Sequence, residues 1–295
     1  MNESSVKKYS SLCLSGGGIA GFVHVGVLDA FAEIGSLDTI DTYVCTSIGS
    51  VIGTLLAVGL TPDDIWENLS VVTHDVLQYA DIDKFFDTFG MDSGEYFMAE
   101  MIDILMRFKV SPTITLAQVK ELYGKRVIIT ATNVSKLETT YFTPETHGDM
   151  RVTDAIRISI SIPFLFSAVK IDGDIYADGG IMDNYPIQYC IYDFLERNKQ
   201  VQKEEVDKYI LGSFIDSMNP KTIANIEDYT FNVFACCLKR TFAYRSNDKC
   251  TIYVQLQKTS AVDFDIGLDK RKQMRQIGYT AAKSHLKESQ DSQDA

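Results

Sequence analysis

Hydrophobic and polar positions divide the first sixty residues into alternating short and long apolar blocks. Residues 9–15 form a short, mainly apolar run ending in Gly16-Gly17-Gly18, the length and ending of a buried strand. From 19 to 34, Phe22, Val25, Val27, Leu28 and Phe31 recur at helical intervals, and Gly35 closes the helix. Residues 42–46 predict a second short strand, and 48–58 a helix buried on most sides. Thr61-Pro62-Asp63-Asp64 opens another helix, with a Thr cap, Pro at the first position and acids at the positive end of the dipole. Thr115 with Gln118 makes a capping box, and Gly124 stops that helix before a strand over 126–133.

Further on, 152–159 predicts a short helix ended by Pro163. Residues 168–171 and 175–177 predict a hairpin across Asp172-Gly173. Strands over 209–214 and 251–256 are separated by a long helix near 225–245, and a last helix covers about 270–287. The polar residues 288–295 are expected to fray. Strands alternating with helices predict an α/β protein: a three-layer α/β/α domain over 1–287 with a central, mostly parallel sheet. Residues 75–111 are unusual, rich in Phe, Tyr and Met with acids between. They read as amphipathic helices packed on the core. The competing reading makes 75–113 a lid or insert over an apolar site.

Composition narrows the partners. Among 295 residues, 28 basic side chains face 40 acidic ones, a net charge of −12. That balance argues against nucleic acid, whose phosphates reward clustered Lys and Arg, and against electrostatic docking on anionic lipid. The first eleven residues lack the apolar core of a secretory signal. The longest apolar stretch, 48–60, is interrupted by Gly, Ser and Thr and falls short of the roughly 20 residues that span a bilayer. Six cysteines, without CxxC spacing or a nearby histidine cluster, read as buried thiols in a reducing compartment rather than a zinc site. No acidic calcium-loop pattern appears. The expected residence is therefore cytoplasmic, although an effector exported without such a signal would look the same.

Three turns carry candidate chemistry. Ser15-Gly16-Gly17-Gly18-Ile19-Ala20-Gly21 joins strand to helix with glycines that let successive N–H groups converge on an anion. Gly16, Gly18 and Gly21 also fit G-x-G-x-x-G, the dinucleotide fingerprint. The acid that reading needs, Asp38 or Asp41, precedes the second strand instead of following it, which disfavours a nucleotide. Cys45-Thr46-Ser47-Ile48-Gly49 places a serine in a tight strand-to-helix turn, exposed at the top of the sheet. Small residues are needed on both sides; Gly49 satisfies this, and Cys45 is larger. Taken alone, such a serine is normally a helix cap. The third turn, Ala177-Asp178-Gly179-Gly180, is alone an ordinary turn. Together they are the parts of a serine hydrolase without a histidine. His24, His74, His147 and His285 read as satisfied surface or core histidines.

In this order the three turns resemble the patatin-like phospholipases, lipid acyl hydrolases with a Ser-Asp dyad. The resemblance runs over 12–187, including Gly26-Val27-Leu28, Ser159-Ile160-Ser161-Ile162-Pro163, Asn184 and Pro186. It continues more weakly over 263–285, chiefly at Gln276-Ile277-Gly278-Tyr279. It implies Ser47 as nucleophile, Asp178 as proton acceptor, and Gly16, Gly17 and Gly18 as the oxyanion loop. Gly21, Cys45, Gly49, Gly179 and Gly180 would shape the turns. It further implies a phospholipid or other lipid ester substrate, transient membrane-surface contact, and no cofactor or metal. For the acid to act as a base near neutral pH it must be partly desolvated. Two departures stand out: Ala20 where the family carries Arg or Lys, and Cys45 where it carries Gly. They motivate the alternative of a weakened member that binds lipid or a protein partner.

Overall fold

The computed structural model describes residues 9–72, 85, 87–217, 222–224, 229, 232–233, 235–236, 249–256 and 266–291. Ser11–Leu14 (β1) and Thr42–Thr46 (β2) are buried at every position and lie side by side in parallel, as continuous apolar runs do when both sheet faces are covered. Ile210–Asp216 (β9) takes the other edge of β1, and Thr251–Gln255 (β10) continues outward in parallel. On the far side, β2 is followed by Arg126–Asn133 (β4). Glu138–Phe142 (β5), Val169–Ile171 (β7) and Asp174–Asp178 (β8) complete an eight-stranded sheet, joined through antiparallel pairings. The sheet is therefore mixed, with a five-strand parallel centre in the order β10-β9-β1-β2-β4.

Alternate side chains of each strand face opposite layers. Leu12, Leu14, Tyr43, Cys45 and Ile129 join the core beneath Phe22–Ala32 (α1), Ile48–Ala57 (α2) and Pro62–Val72 (α3). Glu95–Arg107 (α4), Leu116–Tyr123 (α5) and Val152–Ser159 (α6) pack into the same core. Cys13, Val44 and Ile128 point the other way, toward Ile187, Cys190 and Phe194 of the helix Ile187–Arg197. Between β8 and that helix runs one short turn of helix, Gly180–Asp183 (α7), so Ile187–Arg197 is α8. Leu268–Asp291 (α9) lies across α1. A Cβ at Gly26 would collide with the Arg275 carbonyl, and one at Gly278 with the Val23 carbonyl; the two helices touch backbone to backbone.

The pairing of β4 sets where two strand ends meet. At Ile129 and Thr130 it pairs with both β2 and β5, so these take its opposite edges. From Ala131 to Asn133 it pairs with β5 and β8, so β8 occupies the edge that β2 has just left. β2 ends at Thr46 opposite Thr130, and β8, running the other way, ends at Asp178 opposite Ala131. The two strands meet head to head on one edge.

Several elements differ from the sequence expectation. The helix expected over 19–34 begins with a 3-10 turn, Gly18–Gly21, because Gly18 adopts a left-handed φ of 53°. The last helix continues through the polar residues to Asp291. β3 (Gly90–Asp92) and β6 (Phe164–Phe166) form a separate two-stranded sheet. Of the aromatic-rich segment, α4 buries Phe97, Met101, Ile104 and Leu105 in the core, whereas residues 73–84 and 86 lie outside the described set. So does most of the helix expected near 225–245. The Asp172-Gly173 hairpin is present, with φ of 52° and 89°, the paired left-handed turn that two-residue hairpins favour. Among the described residues, no helix is long and apolar enough to cross a membrane.

Candidate active site

Ser47 sits where β2 breaks into α2, with φ 53° and ψ −125°, a left-handed conformation that costs a non-glycine residue about 1–3 kcal/mol. Surrounding contacts hold it there. Its N–H donates to Ser159 Oγ at 2.8 Å, while its carbonyl accepts from Ser50 N–H at 2.8 Å and Ser50 Oγ at 2.6 Å. A Cβ at Gly49 would lie 2.7 Å from both the Leu14 and Ser15 carbonyls, so α2 leaves the elbow only with glycine there. Cys45 does not crowd the turn. Its sulfur points at Gly53, where a Cβ would approach to 2.5 Å, so a glycine in mid-helix makes room for the thiol.

Across the strand ends, Ser47 Oγ donates to Asp178 Oδ2 at 2.7 Å. The other carboxylate oxygen, Oδ1, accepts Gly180 N–H at 2.6 Å. The acid's backbone is pinned as well: its N–H donates to the Ser161 carbonyl at 2.8 Å, and its carbonyl accepts from Thr132 Oγ1 at 2.9 Å. Both residues are buried, Ser47 with 5% and Asp178 with 3% of their surface exposed. Burial raises the Asp178 pKa to about 7, more than the hydrogen bonds from Ser47 and Gly180 lower it.

The glycine loop closes the site from the β1 side. The Gly16 N–H donates to the Asn184 carbonyl at 2.9 Å, so this amide is engaged by the acid turn. The Gly17, Gly18 and Ile48 amides meet no acceptor among the described residues, and Ile48 opens α2, at the positive end of that helix's dipole. Gly21, Gly179 and Gly180 pack against Ile48, Thr130 and Asn184 with no room for a Cβ. Asn184 Nδ2 also reaches the Gly16 carbonyl at 3.4 Å, so this one residue ties the acid turn to the glycine loop.

Beneath the loop lies fully buried His24. Its Nε2 bonds the Ser15 carbonyl at 2.9 Å, and its Nδ1 meets Ser213 Oγ at 2.8 Å. A carbonyl can only accept, so Nε2 carries the proton and Nδ1 accepts from Ser213. Burial lowers its pKa to about 4 and keeps the ring neutral. Neither ring nitrogen is directed at Ser47 or Asp178. Among the described residues, no three His, Cys, Asp or Glu side chains cluster as metal ligands do. Cys13, Cys45, Cys190 and Cys250 are buried, while Cys236 is exposed.

The resemblance marked Ser159 and Asn184 as motif positions without their clamping roles, and Gly53 went unmarked, although glycine inside a buried helix costs about 1 kcal/mol against alanine and calls for a packing reason.

A family model of the patatin-like phospholipases matches residues 12–191, and the chain belongs to that family. A relative described as a probable lipid hydrolase, from Invertebrate iridescent virus 6, is 33% identical over 199 residues, 66% of this chain and 67% of its own. An uncharacterized protein of Acanthamoeba polyphaga mimivirus is 27% identical over 302 residues, 97% of this chain and 95% of its own. Among solved structures, VipD from Legionella pneumophila superposes with a TM-score of 0.61 at 15% identity, covering 95% of this chain and 67% of that one. That likeness is one of fold.

Proposed function

We propose that the protein is a lipid acyl hydrolase of phospholipase A or lysophospholipase type, with Ser47 as nucleophile and Asp178 as its base. The observation that carries this reading is the 2.7 Å hydrogen bond from Ser47 Oγ to a buried carboxylate whose pKa lies near 7. The family, and the relative described as a probable lipid hydrolase, support a lipid ester as substrate. Ser47 Oγ attacks the ester carbonyl as its proton passes to Asp178 Oδ2. The Gly17 and Gly18 amides, with that of Ile48, hold the oxyanion, each such donor being worth about 10²–10³ in rate. The tetrahedral intermediate collapses as the ester C–O bond breaks and Asp178 returns the proton to the leaving alcohol. Water then attacks the acyl-serine with the same carboxylate as base, and its proton returns to Ser47 Oγ as the fatty acid leaves. Contact with a lipid surface is transient.

A fluorophosphonate probe and a phosphatidylcholine with distinct chains at its two positions test the reading together. The expected result is labelling of the Ser47 peptide and release of fatty acid, both lost by at least 10³-fold in Ser47→Ala and Asp178→Asn. Folded protein that neither labels nor hydrolyses overturns it, and full activity in either variant overturns the dyad.

A further inference from the structure

Three polar side chains lie fully buried where β1 runs into the glycine loop: Ser15 on the loop, His24 in α1 and Ser213 in β9. They form one connected set. Ser213 Oγ donates to His24 Nδ1 at 2.8 Å, and His24 Nε2 donates to the Ser15 carbonyl at 2.9 Å. The Ser15 hydroxyl donates to the Gly16 carbonyl at 2.9 Å and accepts the Ile215 N–H at 3.0 Å. The Ser15 N–H closes the set on the Ser213 carbonyl at 3.1 Å. Buried polar partners can be exchanged for apolar groups of the same shape at little cost in stability, so folding alone does not call for three of them here. Their side-chain bonds lead instead to two carbonyls of the loop, those of Ser15 and Gly16.

The Gly16 carbonyl matters for what stands across its peptide. The Gly16–Gly17 peptide is trans and planar, so its N–H points opposite to its C=O. The Ser15 hydroxyl and, at 3.4 Å, Asn184 Nδ2 hold that carbonyl. The Gly17 N–H is thereby turned away from both, to where it meets no acceptor among the described residues. The next donor is fixed differently: the Gly17 carbonyl accepts the Ala20 N–H at 3.0 Å, so the 3-10 turn itself orients the Gly18 N–H. Glycine on both sides of the Gly16–Gly17 peptide leaves no Cβ to resist a flip, and a flip would put a carbonyl oxygen where the N–H now stands. The Ser15 carbonyl also abuts the elbow, since a Cβ at Gly49 would lie 2.7 Å from it. His24 thus holds the point at which loop and elbow touch.

We propose that Ser15 and His24 are positioning residues of the oxyanion hole: the Ser15 hydroxyl locks the Gly16–Gly17 peptide with its N–H toward the ester, and His24, braced by Ser213, holds Ser15 in place to do so. The inference deepens the lipid acyl hydrolase reading and rests on it. Neither side chain touches substrate; both act through the main chain. Charge that forms on the ester oxygen in the transition state meets a donor already aimed, with no reorientation left to make during the reaction. The ground-state ester carries far less charge on that oxygen, so the lock acts on kcat more than on KM.

The test uses the full chain and two measurements. In the first, a nitrophenyl ester is hydrolysed by protein whose active sites are titrated with a fluorophosphonate, so that unfolded chains are not counted. Ser15→Ala is expected to lower kcat about 10- to 100-fold, part of what one oxyanion donor is worth, with KM within about threefold. The inhibition constant of an alkyl trifluoromethyl ketone, whose adduct carries the oxyanion, should rise by the same factor as kcat/KM falls. His24→Leu should show the same pattern. His24→Gln, which keeps a donor for the Ser15 carbonyl, should recover most of the rate. The second measurement needs no turnover and is made in Ser47→Ala protein. Glycine labelled with carbon-13 at its carbonyl and nitrogen-15 at its amide gives linked resonances only at Gly16–Gly17, Gly17–Gly18 and Gly179–Gly180. The Gly16–Gly17 resonance should move in Ser15→Ala and His24→Leu while Gly179–Gly180 holds still. A resonance that moves in a protein whose parent cleaves no ester upholds the lock on the peptide and removes the hydrolase reading. A resonance that stays, or a kcat per titrated site equal to the parent's, overturns the lock and leaves hydrolysis standing.

Discussion

Ser159 holds the backbone of Ser47: its hydroxyl accepts the Ser47 N–H at 2.8 Å and donates to the Thr130 carbonyl at 2.7 Å. Thr130 is the last β4 residue paired with β2, where β8 is about to replace it. Two residues beyond Ser159, the Ser161 carbonyl takes the Asp178 N–H. The end of α6 and the residues just past it thus grip Ser47 and Asp178 by their main chains and help set the distance between them. Ser159→Ala leaves a buried N–H unpaired, at about 1–3 kcal/mol, in the segment that strains Ser47. The expected outcome is a 10- to 100-fold fall in kcat with KM within about threefold, and recovery in Ser159→Thr. A variant that loses only thermal stability, with kcat unchanged, would make Ser159 merely structural.

The acid limb of activity should report Asp178. Its carboxyl must be ionised to accept the Ser47 proton, and its pKa is raised to about 7 by burial. The kcat/KM profile is therefore expected to rise through about pH 7 and level off above it. His24, held neutral with its pKa lowered to about 4, adds no limb near neutrality.

The same displacement has a consequence for stability. The folded protein holds the Asp178 proton up to about pH 7, whereas the unfolded chain releases it near the ordinary aspartate value of 3.8. The folded state thus binds more protons between those limits, and stability from this group falls as pH rises through the window. Asp178→Asn removes that loss. Thermal melts should show the inactive variant more stable than the parent at pH 8 by more than about 1.4 kcal/mol, the value of a tenfold change in proton affinity. The difference should close toward pH 4.

The parallel centre was legible because strands buried on both faces read as unbroken apolar runs, as at Leu12-Cys13-Leu14 and Tyr43-Val44-Cys45. The two groups that meet at 2.7 Å, Ser47 and Asp178, each stand in a turn marked by glycines; alone, each reads as an ordinary cap or turn, and the order of the turns, with the resemblance it carries, singles them out. The three-residue strands β3 and β6 are too short to show a period, and β5 is a half-exposed partner with little apolar content. α7 has four residues and no amphipathic repeat to read. Ser159 stands 112 residues from the amide it holds, and nothing local in its sequence announces the bond. The Asn184 clamp on Gly16 is equally a product of folding, across 168 residues.

Cys45 and Gly53 should behave as one unit. With 2.5 Å between the Cys45 sulfur and a Cβ at position 53, Gly53→Ala forces the thiol or the helix to move. Overpacking costs about 1–3 kcal/mol, against roughly 1 kcal/mol regained from helix propensity. Cys45→Gly alone leaves a void and a looser strand. The double variant fills the void from the helix side, so the cycle should show a favourable coupling of at least about 1 kcal/mol in denaturant unfolding. Additive effects would mean that the thiol and the helix adjust independently.

The contact between α1 and α9 supports the glycine loop from behind. α1 begins where the glycine loop ends, so its placement sets that of Gly17 and Gly18. A Cβ at Gly278 would meet the Val23 carbonyl, which is backbone and cannot rotate away. Gly278→Val must push α9 off α1, exposing Met274 and Ala282, two residues of α9 that are buried. Arg275 would be drawn from its paired bonds to Asp29 at 2.6 and 2.8 Å. The expected loss exceeds about 3 kcal/mol in unfolding free energy, in the range of a severe core disruption. Ester hydrolysis should fall at temperatures where the protein remains folded, because the loop loses its support. A Gly278→Val protein with parental stability and rate would show that α9 is not needed to hold the helix behind the site.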